Sequence, residues 1–210
     1  MTERQKTIVE AAIKLIDEGG IQNVTMKNIA ARLDITEPAI YRHFASKNEI
    51  LLAMLEQFKF RSKQHIQRAR SAEISSLRKL ETIFLEHSGQ FAERPHMTAV
   101  VFSEEAFQDD PRLAELIFSV MNAAHEGVSE IIGAAQQAGD IRADIPKEHL
   151  ALMLLGALRL MVKRWRLSKY AFDLRTESQR VWQSLRLLFL SENPLVDRQM
   201  PPLLGGAGGG

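Results

Sequence analysis

Apolar residues recur along this chain at intervals of three and four, the spacing of one helix face, and nowhere alternate in the two-residue rhythm of a half-buried strand. Ile8, Ala11, Ala12, Leu15 and Ile16 form the first stripe. They predict a helix over residues 3–18 that Gly19-Gly20 ends by accepting a left-handed cap. Ile29, Ala30 and Leu33 mark a short helix from Met26 to Leu33, with Thr25 placed to cap it, and Ile40 and Phe44 mark a second from Glu37 to about Phe44. Ser46 and Glu49 form a capping box that opens a long helix from Lys47 to about Arg70, whose apolar face is Ile50, Leu51, Met54, Leu55 and Phe58. Downstream, a helix is expected from Ile74 to Glu93, ended by Pro95, and a shorter one from His96 to Phe107. Asp110-Pro111 starts another that runs to about Ala138, and Pro146 opens one from Lys147 to about Lys169. A second capping box, Thr176 to Gln179, starts the last. The pattern adds up to nine helices and no sheet, an all-α chain.

The two short helices carry the most information. Asp34-Ile35 makes a tight turn between them, Thr36 is positioned to cap the second, Glu37 suits the positive end of its dipole, and Pro38 is tolerated in its first turn. With Ile40 and Phe44 turned inward, Glu37, Ala39, Tyr41, Arg42 and His43 look outward. A short helix showing polar and aromatic side chains on a small apolar platform is how a helix-turn-helix offers a recognition helix to a major groove. The whole stretch, TMKNIAARLDITEPAIYRHFASKNEIL, resembles the DNA-binding signature of the TetR family of bacterial transcriptional regulators. The matching features are Thr25, the pair Ile29-Ala30, Tyr41-Arg42-His43-Phe44, and Lys47 three residues further on. One position departs: the turn usually carries Gly where this chain has Asp34, a residue that tolerates left-handed backbone better than most. The resemblance covers roughly the first 50 residues; the remainder is similar to the family in being helical and of suitable length.

That resemblance implies a helix-turn-helix domain over residues 1–46 and a helical effector-binding and dimerisation domain over 47–193, and the proline and glycine without periodicity beyond Asn193 predict a flexible tail over 194–210. On the DNA side, Thr36, Tyr41, His43 and Lys47 are expected to hold phosphates, with Thr25 at the same surface, while Lys27, Glu37, Ala39 and Arg42 face bases. Arg42 to a guanine edge is the strongest expected contact, worth about 1–3 kcal/mol of discrimination. Family members are typically released by a small molecule that enters a cavity in the C-terminal domain. Here Phe84, His87, Phe91, Phe102, Phe118, Met121 and His125 are the candidate lining, between about residues 55 and 165. The family also dimerises through its last two long helices. In this chain those helices are apolar over more circumference than one neighbour covers, and the candidate interface is Leu154, Leu158, Met161, Trp165, Val181, Trp182, Leu185, Leu188 and Phe189. A basic face of Arg159, Lys163, Arg164, Arg166 and Lys169 lies along the first of the two.

Composition narrows the reading. The 210 residues, 45% hydrophobic and 25% charged, are ordinary for a globular protein. No cysteine is present, so disulfides and thiolate metal sites are excluded and a reducing cytoplasm is the expected home. The charged N-terminus lacks a signal peptide's apolar core, and no apolar run approaches the ~18 residues of a membrane span. The net charge of +1 divides unevenly: residues 1–70 hold 12 Lys/Arg against 8 Asp/Glu, and residues 71–210 hold 15 against 18, so the basic excess sits with the helix-turn-helix. Phosphate-binding glycine loops, nucleophile elbows and His-Glu-x-x-His are absent, and the six histidines are scattered. No catalytic role, metal or cofactor is therefore expected. The expected partners are double-stranded DNA, a second copy of the chain and a small apolar or amphipathic effector. A core without a ligand-sized cavity would favour a DNA-binding protein that acts through protein partners instead; an enzyme on a helical scaffold is the other alternative.

Overall fold

The computed structural model describes residues 1–103, 108 and 110–190. Among them are nine α-helices and no strand: α1 Glu3–Gly19, α2 Met26–Arg32, α3 Glu37–Tyr41, α4 Lys47–Ser71, α5 Ser76–Glu93, α6 His96–Val101, α7 Pro111–Ala138, α8 Lys147–Leu167 and α9 Leu174–Phe189. The tail from residue 194 and the end of the expected 96–107 helix fall outside the described residues.

Local chemistry sets the boundaries. Thr2 and Gln5 cap α1 reciprocally, and Gly20, at φ 75°, ends it. Thr25 caps α2 by accepting from the Asn28 amide at 3.0 Å, and the Asn28 side chain donates to the Asn23 carbonyl at 2.9 Å. Asn23, in the 3-10 turn Ile21–Asn23, donates in turn to the Leu15 carbonyl at 3.2 Å, pinning α1 to α2. Asp34 takes the left-handed conformation that its turn requires, at φ 52°. Asp110 caps α7 through the Arg112 amide, with Pro111 in the first turn, and Gly139 closes that helix at φ 78°.

At three helix ends the capping differs from expectation. Helix α3 ends at Tyr41, and Thr36 stands at its N-cap position without accepting a side-chain hydrogen bond. At α4, Ser46 accepts from the Glu49 amide, but Glu49 does not complete the capping box; its carboxylate takes the Arg112 guanidinium at 2.7 Å. The last helix starts at Leu174, before the Thr176 box, because Asp173 caps it by accepting from the Thr176 amide at 2.6 Å.

Helices α1–α3 close on Ile8, Val24, Ile29 and Ile40, all fully buried. Helix α4, 25 residues and thus about 37 Å long, leaves this unit and runs into the rest of the molecule. It packs along α7, α7 along α8, and α9 along α5. Gly127 of α7 makes the α4 contact close: a Cβ there would lie 2.7 Å from Ile66 Cγ2. In the C-terminal core, Trp182 packs against Phe84 and Phe189, and the Trp165 indole donates to the Phe172 carbonyl at 2.9 Å. At the junction of the two units, Arg112 holds both Asp110 and Glu49 at 2.7 Å, tying the start of α7 to the start of α4.

Candidate DNA-binding surface and effector cavity

The structure brings the nine expected DNA-contacting residues to one end of the molecule. Thr25, Lys27, Thr36, Tyr41 and Arg42 are exposed, Glu37, Ala39, His43 and Lys47 are half-buried, and none is withdrawn into the core. Tyr41 has half its surface free. Beneath them Ile40 and Phe44 anchor α3, and Gln5 donates to the His43 carbonyl at 3.3 Å, so α1 supports the exit of the recognition helix. Lys47 lies at the N-terminus of α4, where free backbone amides and the helix dipole already favour an anion.

In the C-terminal unit, α4–α8 enclose a cavity of about 410 Å³. His87, Phe91, Phe102, Met121 and His125 line it, as expected. Phe84 does not; it is buried against Trp182 on the other side of α5. Phe118 does not either: at 64% exposure it faces outward from α7, because its helical register points away from the groove that Ile117 and Met121 border.

The wall contains residues that the aromatic pattern did not single out, chiefly Phe58 from α4, Asn122 from α7, and Leu152, Leu155 and Arg159 from α8. Phe58 packs on His87 and Phe91 at centroid distances of 5.8 and 5.3 Å. Arg159 lies 4.7 Å above the Phe102 ring, half-buried, and burial depresses its pKa; no carboxylate among the described residues pairs with it. Its spacing carried the signal: Arg159 falls four residues after Leu155 and seven after Leu152, a charge in an apolar register. The expected basic face accordingly splits, with Arg159 over Phe102 and Arg166 donating to the Thr98 carbonyl at 3.1 Å.

The two histidines differ in their surroundings. Burial, with a smaller contribution from the neighbouring His65, pushes His87 down to about 4, so it is neutral near pH 7 and offers one donor and one acceptor. His125 donates from Nε2 to the Glu148 carbonyl at 2.9 Å. The cavity therefore presents an aromatic and aliphatic wall, one guanidinium, the Asn122 amide, the neutral His87 imidazole and the ring of His125.

The expected dimer residues need correction. Leu154, Leu158, Met161, Trp165, Trp182 and Phe189 are buried within the protomer, since α8 and α9 pack on α5 and α7 with their most apolar sides. Val181 and Leu185 are half-buried, and Leu188 is exposed. Beside the expected Leu188, at 44% exposure, the uncovered apolar side chains of these helices include Leu152, Met153, Leu160, Leu167 and Leu187, at 48–72%.

Among the described residues no helix is long and apolar enough to cross a membrane, and no group of three or more His, Asp or Glu is placed to hold a metal. Comparison with known proteins agrees with this anatomy. A family model described as bacterial regulatory proteins, tetR family, matches residues 8–54, and one described as YsiA-like protein, C-terminal region, matches residues 53–188. The probable acrEF/envCD operon repressor of Escherichia coli is 20% identical, over 91% of this chain and 89% of its own. Among solved structures, FadR from Bacillus subtilis in complex with stearoyl-CoA superposes with a TM-score of 0.73 at 20% identity, covering 86% of this chain and 96% of that one. A SmeT–triclosan complex superposes at 0.76 and 18% identity, covering 98% and 100%. At such identities the structures speak for the fold, and the family models speak for kinship.

Proposed function

Because the chain belongs to the TetR family of bacterial regulatory proteins, and is thus a transcriptional regulator and not an enzyme, we propose that it acts as a cytoplasmic homodimeric repressor. The dimer binds a roughly palindromic operator and leaves it when an apolar or amphipathic molecule fills the C-terminal cavity. The observation that carries the effector half of this reading is the cavity itself. Its volume falls in the range of small-molecule sites, and its few polar groups are set into an apolar wall. Arg159 without a carboxylate partner favours an effector whose apolar body ends in an anionic or strongly hydrogen-bonding group. Stearoyl-CoA and triclosan, the ligands named for two structural relatives, are both apolar bodies with a polar end.

On DNA, residues 1–46 form the reading unit. Arg42 and Lys27 approach base edges, with Ala39 placed to meet a thymine methyl and Glu37 beside them. Thr25, Thr36, Tyr41, His43 and Lys47 hold phosphates. Two-fold symmetry then sets the recognition helices ~34–36 Å apart, or a multiple of it, in the bound dimer. The partner copy covers the exposed leucines of α8 and α9.

Selection of bound sequences from a random DNA pool tests the reading. Enrichment of a palindrome, lost when a ligand occupies the cavity, is the expected outcome; the site's position in the genome then nominates effectors through neighbouring genes. No enrichment over random DNA at moderate salt, from protein refolded free of ligand, would overturn it.

A further inference from the structure

A second cavity, of about 500 Å³, lies where α1 of the DNA-binding unit meets α4, α5 and α6. Its wall combines an apolar floor of Met54, Phe58 and Met97 with the guanidinium groups of Arg61 and Arg94. Gln90 is also part of that wall. It is 8% exposed, and neither its amide nitrogen nor its amide oxygen has a hydrogen-bond partner. A buried amide left unpaired on both sides costs free energy that an apolar side chain of the same shape would not. Among the buried side chains left unpaired, Gln90 alone has both a nitrogen and an oxygen open, and it stands in a cavity wall, so its position calls for an occupant.

The charges around the cavity define that occupant. Lys6 is held by Glu3 at 2.6 Å, and Glu10 is an exposed residue of α1. Arg61 and Arg94 are half-buried and form no ion pair or side-chain hydrogen bond among the described residues. His96, buried beside them, has its pKa lowered by that burial and adds no positive charge near pH 7. Two unpaired guanidinium groups suit a carboxylate, which can accept two parallel hydrogen bonds from one of them. The Gln90 amide can donate to the same carboxylate and accept from a hydroxyl next to it.

We propose that this interdomain cavity is a second ligand site, separate from the C-terminal cavity, and that it takes a small hydroxylated carboxylic acid with an apolar body. Its position gives it a role. The wall is shared between the DNA-binding unit and the effector domain, so an occupant fixes how α1 sits on α4 and α6. Phe58 also lines the C-terminal cavity, so the two sites share one ring and a ligand in either bears on the other.

The test uses the intact protein and 5-bromosalicylate, which carries the carboxylate, the hydroxyl and a bromine that anomalous scattering can locate. Bromine density is expected in the interdomain cavity of soaked crystals, with the carboxylate on Arg61 or Arg94. In calorimetric titrations Arg94→Ala and Gln90→Leu are each expected to weaken the probe roughly 10-fold or more, the scale of a lost charge-assisted hydrogen bond. Arg159→Ala, which removes the guanidinium of the other cavity, should leave the bromine in the interdomain cavity in place. Gln90→Leu should melt no lower than the wild type, which shows that its loss of binding is not loss of fold. Bromine only in the C-terminal cavity, no bromine at all, or binding indifferent to both variants would overturn the proposal. Operator selection on the same preparation reads the repressor function separately, so failure of one is distinguishable from failure of the other.

Discussion

At the scale of single residues, three positions carry consequences that can be measured. Asp34 occupies a left-handed turn where family members usually have Gly. Asp34→Gly relieves the backbone while adding chain entropy to the unfolded state, so urea unfolding should place it within about 1 kcal/mol of the wild type. Asp34→Val, β-branched at positive φ, should cost about 1–2 kcal/mol. Arg42 and Lys47 are expected to separate reading from holding. Arg42→Ala should relax sequence preference, whereas Lys47→Ala should weaken all sequences alike and lower the salt slope by about one. Equal loss on operator and random DNA for Arg42→Ala would count against its role. His87 makes the fold acid-sensitive. Its folded pKa, about 4, lies below the ordinary 6.5, so the unfolded chain binds the proton first and stability is lost as pH falls through that window. His87→Phe should flatten stability-versus-pH between about 6.5 and 4. Some of this was legible in the sequence: Asp34 in its turn and the outward Tyr41 and Arg42 follow from short-range spacing. The orientation of Arg159 over Phe102 was not, because it depends on how α8 sits against residues more than fifty positions away.

At the scale of helices, caps and breakers located most boundaries, and competition between partners explains the misses. Glu49 left its own capping box because Arg112, distant in sequence, offers a full charge in place of a backbone amide. Asp173 claimed the start of α9 one turn ahead of a motif that looked sufficient by itself. The approach of α4 to α7 is also invisible to helical periodicity, since a glycine in a helix pattern reads as a weak position and here marks contact. Gly127→Ala should therefore destabilise by about 1–3 kcal/mol through overpacking. Combined with Ile66→Ala, the total loss should be smaller than the sum of the two single losses, a coupling that a double-mutant cycle reads directly.

At the scale of the whole molecule, the periodicity marked the last two helices as over-apolar, and of the side chains it assigned to the outside the protomer leaves Leu188 uncovered and buries six. Periodicity says how wide an apolar stripe is, and only packing says which part of it the chain itself covers. The uncovered part includes Leu160 and Leu188. The double variant Leu160→Glu/Leu188→Glu should sediment as a monomer with its helical content intact, and should bind operator at least about 100-fold more weakly, since two half-sites are then no longer engaged together. A dimer that survives both charges would place the interface elsewhere. The placement of the two tryptophans has its own consequence. Trp165 and Trp182 lie in α8 and α9, and α1–α3 contain none. Indole fluorescence of the unmodified protein therefore follows the packing of the C-terminal helices and is blind to the recognition helix. The protein thus carries an optical reporter confined to one end, and any change in its emission on adding operator is a signal that has crossed the length of α4.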